Sequence, residues 1–191
     1  MSSYLEKYLL CHEKHVPFLG KKILDYGCGQ GTITNLIKML SGNGLVYGYD
    51  PDKFKIECAK KKERRNIFFT SSLENINGNK FESIFSSFVL HESGFKLINK
   101  MAYFLMPEGY LIVLDHDKKG ISFDNFEEYL TEQDKKNHKE LSIEDIWKQH
   151  TKYELKDCIS FAENNGFKTI RAYSHKDLNF GAYLWIGKKL L

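Results

Sequence analysis

The first limits on this chain come from what it lacks. Its 191 residues hold only three prolines and show no internal repeat, low-complexity stretch or flexible linker, so a multi-domain string or a solenoid is excluded. No apolar run approaches the ~18 residues that a bilayer span requires. The opening "MSSYLEKYLLCHEKH" is interrupted by Glu6, Lys7, Glu13 and Lys14, which leaves no signal-peptide core. Four cysteines, Cys11, Cys28, Cys58 and Cys158, are scattered and make no CxxC pair. A soluble, cytoplasmic protein with reduced thiols is the expectation. The formal net charge of +3 is too small to argue for a nucleic-acid partner. One basic run, "KKKERR" (60–65), offers either a phosphate-binding patch or the solvated end of a helix. Without interleaved aromatic residues it favours the second, so neither nucleic acid nor membrane is expected as a partner.

What is present points to one globular domain. Hydrophobic residues make up 42% of the chain and aromatic residues 14%, enough for a sizeable core. Strand-like and helix-like segments alternate along it. A helical stretch from about Ser3 to His15 leads to a strand over Lys22–Tyr26. A helix with Ile33, Leu36, Ile37 and Leu40 on one face follows and stops at Gly42. "GLVYGYD" reads as a second strand, and Asp52 as the cap of a helix running through Lys62. "NIFFT" and "FESIFSSFVL" are the third and fourth strands. Leu97, Ile98, Met101, Ala102 and Leu105 mark a helix ending at "MPEG", and "YLIVLD" is the fifth strand. Residues 116–150 are charged and predict one or two amphipathic helices. "KYELKDCISFAENNGF" predicts another, and "KTIRAYS" and "AYLWIGKK" two late strands. Such alternation means a mostly parallel sheet covered on both faces. The last two strands are separated only by "HKDLNFG", too short for a crossover helix, so the final strand of seven should run antiparallel.

The stretch "KILDYGCGQGTIT" (22–34) carries the functional question. Ligands of such sheets sit beyond the carboxyl ends of the strands, where strand order reverses. Glycines there permit positive φ and let a ligand approach the backbone. A dinucleotide fingerprint needs GxGxxG, but counting from Gly27 or from Gly29 puts a threonine at the third glycine position. The observed spacing is D-x-G-x-G-x-G from Asp25, and the second strand ends at Asp50, a carboxylate suited to ribose hydroxyls.

With these residues the chain resembles the class I S-adenosylmethionine-dependent methyltransferases over nearly its whole length. "ILDYGCGQGTIT" is similar to the family's first motif and "VYGYDP" to its second. "FESIFSSFVLHE" is similar to the fourth strand and its exit, and "LMPEGYLIVLD" to the fifth. The resemblance implies an α/β, doubly wound, seven-stranded, mostly parallel sheet with an antiparallel last strand, the Rossmann-like methyltransferase fold. It implies a single domain over 1–191, with the N-terminal helix and a 116–150 insertion as a cover over the site. S-adenosylmethionine is the implied cofactor and S-adenosylhomocysteine the product. By position, Gly27, Cys28 and Gly29 would offer backbone to the methionine part. Asp25 would orient that turn or meet the ammonium, Asp50 would hold the ribose, and Pro51 would lie beside the adenine. Where the family usually has an Asp for the adenine amino group this chain has Ser72, followed by Leu73. Ser86 and Ser87 would close the pocket near the sulfonium.

Methyl transfer from a sulfonium needs alignment, exclusion of water and, for some acceptors, removal of a proton. The fourth-strand exit "SFVLHE" lacks the patterns of the nucleic-acid-modifying branches and is similar to the small-molecule branch. His91 is the candidate base, or else a helix-entry histidine that packs against substrate or lid. "DHD" (Asp115, His116, Asp117) reads as a divalent-metal set or a polar loop, and the lack of further ligands favours the loop. Cys11, His12 and His15 read as an exposed helix face rather than a metal site. No metal is expected. The expected function is methyl transfer to a small molecule; the alternative is a non-catalytic cofactor-binding module acting through a protein partner. Phe123, Phe126 and Trp147 in the insertion, and Tyr4 and Tyr8 before it, are candidate pocket walls.

Overall fold

The computed structural model describes residues 11, 14–120, 122–123, 126, 140–178 and 180–191. Seven strands form one sheet: β1 Lys22–Tyr26, β2 Leu45–Tyr49, β3 Ile67–Thr70, β4 Phe81–Ser87, β5 Leu105–His116, β6 Phe167–Tyr173 and β7 Ala182–Lys189, in the order β3-β2-β1-β4-β5-β7-β6. Strands β1 to β5 are parallel, and β7 runs antiparallel between β5 and β6. The chain winds outward from β1 through β2 to β3, then returns to β4 on the other side of β1. The β1–β4 junction is therefore the point where strand order reverses, and ligands are expected at its carboxyl end.

The described helices are α1 Thr32–Leu40, α2 Lys53–Lys60, α3 Leu90–Ser93, α4 Lys96–Phe104, α5 Ile143–His150, α6 Leu155–Glu163 and α7 His175–Leu178. Alternation along the strands divides the core into two layers. On one face Leu24, Ile84, Leu111, Val113 and Trp185 pack with Ile98 and Met101 of α4 and with Cys158 and Ala162 of α6. On the other, Ile23, Phe85, Ile112, Leu114 and Ile186 pack with Ile33 and Ile37 of α1. Asp52 caps α2 as expected, accepting the N–H groups of Phe54 and Lys55 at 2.8 and 3.2 Å. That helix buries only Ile56 and Ala59, while Phe54 is exposed.

Several local expectations are corrected. Strand β4 stops at Ser87 because Phe88 takes a φ of 57°, which turns the chain into α3. "MPEG" is not a turn before the fifth strand but part of β5, accommodated by positive φ at Glu108 and a register irregularity against β4. "HKDLNFG" contains a helical turn, α7, whose start is tied by Asp177 accepting the Ser174 N–H at 2.6 Å. Cys11 and His15 are fully buried rather than on an exposed face. His15 Nδ1 bonds the Cys11 carbonyl at 2.8 Å, its ring lies against Phe85, and burial pushes the Cys11 thiol up to about 12. The remainder of the expected N-terminal helix, with Tyr4, Tyr8 and His12, lies outside the described residues, as does most of 121–139.

Candidate functional site

The turn between β1 and α1 holds all three of its glycines at positive φ: 85° at Gly27, 53° at Gly29 and 76° at Gly31. A Cβ on Gly27 would lie 2.4 Å from Val89 Cγ2, and one on Gly31 would lie 2.6 Å from Phe69. A Cβ on Gly29 would meet nothing within 4 Å. Gly27 and Gly31 are thus dictated by close packing, whereas Gly29 borders open space into which a ligand can fit. The turn uses its own N–H groups internally. Gly27 and Cys28 both donate to the Tyr49 carbonyl, Gly31 donates to the Cys28 carbonyl, and Gly29 donates to Asp50 Oδ2 at 2.9 Å. A pyrophosphate would find none of these donors, which separates the turn from a dinucleotide cradle.

Asp50 is nearly buried, and its Oδ1 accepts the Asp52 N–H at 2.9 Å. A carboxylate has about four acceptor positions, so two protein bonds leave room for a ligand's hydroxyls. Pro51 beside it is exposed. Asp25 ties β1 to α1 by accepting the Thr34 hydroxyl at 2.6 Å. Burial pushes the Asp25 carboxyl up to about 7, against the Thr34 bond and with help from the charge on Asp50. Of its two expected roles, this geometry is that of the turn-orienting one. The Cys28 side chain packs with Ile56, Ala59, Ile67 and Phe69, and burial pushes its thiol well above the usual range, while its backbone N–H and carbonyl are both engaged within the turn. Ser72 accepts the Glu74 N–H at 3.2 Å as the cap of a short 3-10 turn, Leu73–Ile76, and Leu73 packs against the core. Ser86 and Ser87 are buried at the end of β4, and neither hydroxyl has a hydrogen-bond partner among the described residues. Two orphaned hydroxyls at the switch point are where a polar ligand would be satisfied.

The other half of the site lies at the ends of β4 and β5. Asp115, His116 and Asp117 do not form a polar loop. All three are buried, with the first two inside β5. Nor do they form one ligand set, because Asp117 pairs with His175 Nδ1 at 2.9 Å while Asp115 turns to α3. Asp115 accepts from the N–H groups of Leu90, His91 and His116 and from His91 Nδ1, the last at 2.7 Å. The Asp115 carboxylate favours the tautomer with the proton on Nδ1, and His91 Nε2 lies 3.8 Å from Glu92 Oε1. The His91, His116 and His150 rings lie 4.6–4.7 Å apart, centroid to centroid. Phe88 lies against His116, and Phe126 against His150.

A family model described as "Methyltransferase domain" matches residues 18–170, from the 3-10 turn before β1 into β6. The chain belongs to this methyltransferase family. It is 35% identical over 85 residues to protein 235L of Invertebrate iridescent virus 6, which carries a methyltransferase name, covering 44% of this chain and 31% of that protein. It is 31% identical over 99 residues to the ribosomal protein L11 methyltransferase of Thermosipho melanesiensis, covering 49% and 37%. The methyltransferase chain thus spans about a third of the length of these curated relatives. Its fold matches a methyltransferase of Aquifex aeolicus, solved as S-adenosylmethionine-dependent, with TM-score 0.68, 18% identity and coverage of 99% of this chain and 95% of that one. It also matches the plantazolicin methyltransferase BpumL in complex with S-adenosylhomocysteine, with TM-score 0.68, 14% identity and coverage of 96% and 84%.

Within this methyltransferase domain the structure brings Asp25, Gly27, Cys28, Gly29, Asp50 and Pro51 together around one turn, and the Gly27–Val89 contact joins that turn to the segment leading into His91. Sequence reasoning missed Thr34, Asn75 and His150. Asn75 Nδ2 donates to Thr70 Oγ1 at 2.9 Å and braces the exit of β3. His150 carries no motif signal, since only the packing of α5 on α3 brings it to His91. A cavity of about 270 Å³ lined by Phe18, Gly20, Glu82 and Tyr110 opens at the amino ends of the strands, opposite the site.

Proposed function

We propose that the chain is an S-adenosylmethionine-dependent methyltransferase whose acceptor is a small molecule held at the carboxyl ends of β4 and β5. The observation that carries this reading is the contact of Gly27 with Val89, two residues before His91. It ties a glycine turn with an open face and a bridging acid to the segment that, two residues on, carries a buried His–Asp pair. Bound at that turn, S-adenosylmethionine supplies a methyl group on a sulfonium, a leaving group that needs no covalent help from the protein. Asp50 would hold hydroxyls at one end of the cofactor, and Ser86 and Ser87 would offer hydrogen bonds at the switch point. His91, oriented by Asp115, would take the acceptor's proton at Nε2. Phe88 and Phe126 would keep water out.

The burial of the histidines supports a small acceptor. His91, His116 and His150 are each less than a tenth exposed, which a folded polymer would not reach. Among proteins of this fold, BpumL has been solved with desmethyl-plantazolicin analogues, and another is a magnesium protoporphyrin IX methyltransferase. Among the described residues no helix is long and apolar enough to cross a membrane. The test is calorimetry with S-adenosylmethionine and NAD, followed by a screen of small nucleophiles for S-adenosylhomocysteine release. Saturation by the methyl donor and release with a small acceptor are expected. Binding of NAD alone would overturn the reading, and release only with protein or RNA would reassign the acceptor.

A further inference from the structure

The three buried histidines form one cluster. One ring nitrogen of each lies within 4.8 Å of the others, and the rings form a nearly equilateral triangle. They come from three separate elements, the exit of β4, the end of β5 and the last turn of α5. We propose that His91, His116 and His150 form a binding site for one divalent transition-metal ion of the zinc type, with a coordination position open to the acceptor.

Each ring is held by its own support. His91 Nδ1 faces Asp115 at 2.7 Å, and His150 Nδ1 faces the Ile146 carbonyl of its own helix at 2.8 Å. In both, the acceptor fixes the proton on Nδ1 and presents Nε2 as the ligating nitrogen. A carboxylate and a backbone carbonyl are the two usual outer partners of metal-binding imidazoles. His116 is set by the β5–β7 ladder, where it faces Ala182, and its ring is backed by Phe88.

Donor chemistry selects the ion. Three imidazoles suit zinc, cobalt, nickel or copper, and not magnesium or calcium, which take oxygen ligands. Three protein ligands leave a tetrahedral ion one free position. Ligands at the usual zinc–nitrogen distance sit about 3.3 Å from one another, so metal uptake draws the ring nitrogens together by up to about 1.5 Å. Side-chain rotation supplies that much. The metal site itself stands apart from the methyltransferase reading, but its consequence rests on it. With an ion bound, the His91 lone pair would be committed to the metal and could not take the proton; the ion's Lewis acidity would instead lower the acceptor's pKa, so that the acceptor binds having already released its proton to solvent. The acceptor would then carry an oxygen or nitrogen donor able to enter the open position.

The test uses the full chain after chelator treatment. Titration with cobalt(II) is expected to saturate at one equivalent, with the strong visible absorption of a four-coordinate site, and zinc(II) should displace it. Magnesium should do neither. His116→Gln and His150→Gln should each weaken cobalt binding tenfold or more while circular dichroism remains native. His175→Gln, outside the triangle, should leave it unchanged. If His116→Gln fails to fold, the wild-type spectrum and His150→Gln decide the question. A chain that takes up no cobalt, or binds it equally in all variants, overturns the proposal. S-adenosylhomocysteine affinity measured on the same samples separates the two readings. Its retention without metal binding removes only the metal site, and its loss with metal binding intact removes only the donor site.

Discussion

Asp115 and His91 meet at 2.7 Å across 24 residues of sequence, and that one carboxylate joins the end of β5 to the start of α3. It also accepts the backbone N–H groups of Leu90, His91 and His116. An amide in its place keeps one acceptor oxygen and turns an NH₂ toward donors that need an acceptor. Asp115→Asn is therefore expected to lower stability by about 3 kcal/mol, as for a buried charged hydrogen-bond hub. Urea denaturation of the wild type and variant measures it. A loss under about 0.5 kcal/mol would mean that α3 is held by its apolar contacts alone.

Asp25 gives a stability signature with a definite sign. Its carboxyl has an ordinary value of 3.8 and is pushed by burial to about 7 in the folded chain. Between those values the folded chain keeps a proton that the unfolded chain has released. The stabilising contribution is whole below about pH 4 and is lost as the pH rises through about 7. Asp25→Asn cannot titrate and keeps an acceptor for Thr34. Its stability should fall less over this window, by up to about 1.4 kcal/mol per pH unit. Parallel stability–pH curves for the two proteins would show that Asp25 is not charged against its burial.

Gly27 and Gly29 make a contrasting pair. Alanine at Gly27 meets both an unfavourable φ of 85° and Val89 at 2.4 Å. A loss of about 3 kcal/mol is expected from left-handed strain and overpacking combined. Alanine at Gly29 meets only the φ of 53°, so its cost should be about 1 kcal/mol. That methyl group would nevertheless enter the open face. S-adenosylhomocysteine affinity of Gly29→Ala should fall at least tenfold in a protein that still folds. Wild-type affinity in that variant would place the ligand elsewhere.

The shape of the glycine turn was legible because its residues are contiguous or end adjacent strands. A glycine turn, a capping Asp52 and an acid at Asp50 declare themselves through local backbone requirements. The antiparallel β7 was legible for a similar reason, since the length of the link before it forbids a crossover. The clustering of the three histidines was not legible, although His91 and His116 each drew notice singly. His91, His116 and His150 converge only through β4–β5 pairing and the packing of α5, and no spacing rule links positions so far apart. Polarity also misled at "DHD", at Cys11 and at His15, because a polar residue is buried whenever tertiary structure brings it a partner. "MPEG" misled through its proline, which a strand tolerates at a bulge.

Asp50 has two duties that mutation can separate. Its Oδ2 fixes the Gly29 N–H and its Oδ1 the Asp52 N–H, so it shapes the turn even without ligand. If it also holds ribose hydroxyls, Asp50→Ala should weaken S-adenosylhomocysteine binding by about 1.5–3 kcal/mol. Part of that loss would come from a disordered turn, which a thermal melt without ligand reports. Asp50→Asn keeps one acceptor for the turn but removes the charge, so it should recover stability more than affinity. Adenosine and methionine, used as separate fragments, then locate the effect. Adenosine binding should weaken in the Asn variant while methionine binding changes little, because only adenosine carries the ribose. Equal weakening of both fragments would mean that Asp50 acts only through the turn, and unchanged binding of both in a folded variant would remove it from the cofactor site.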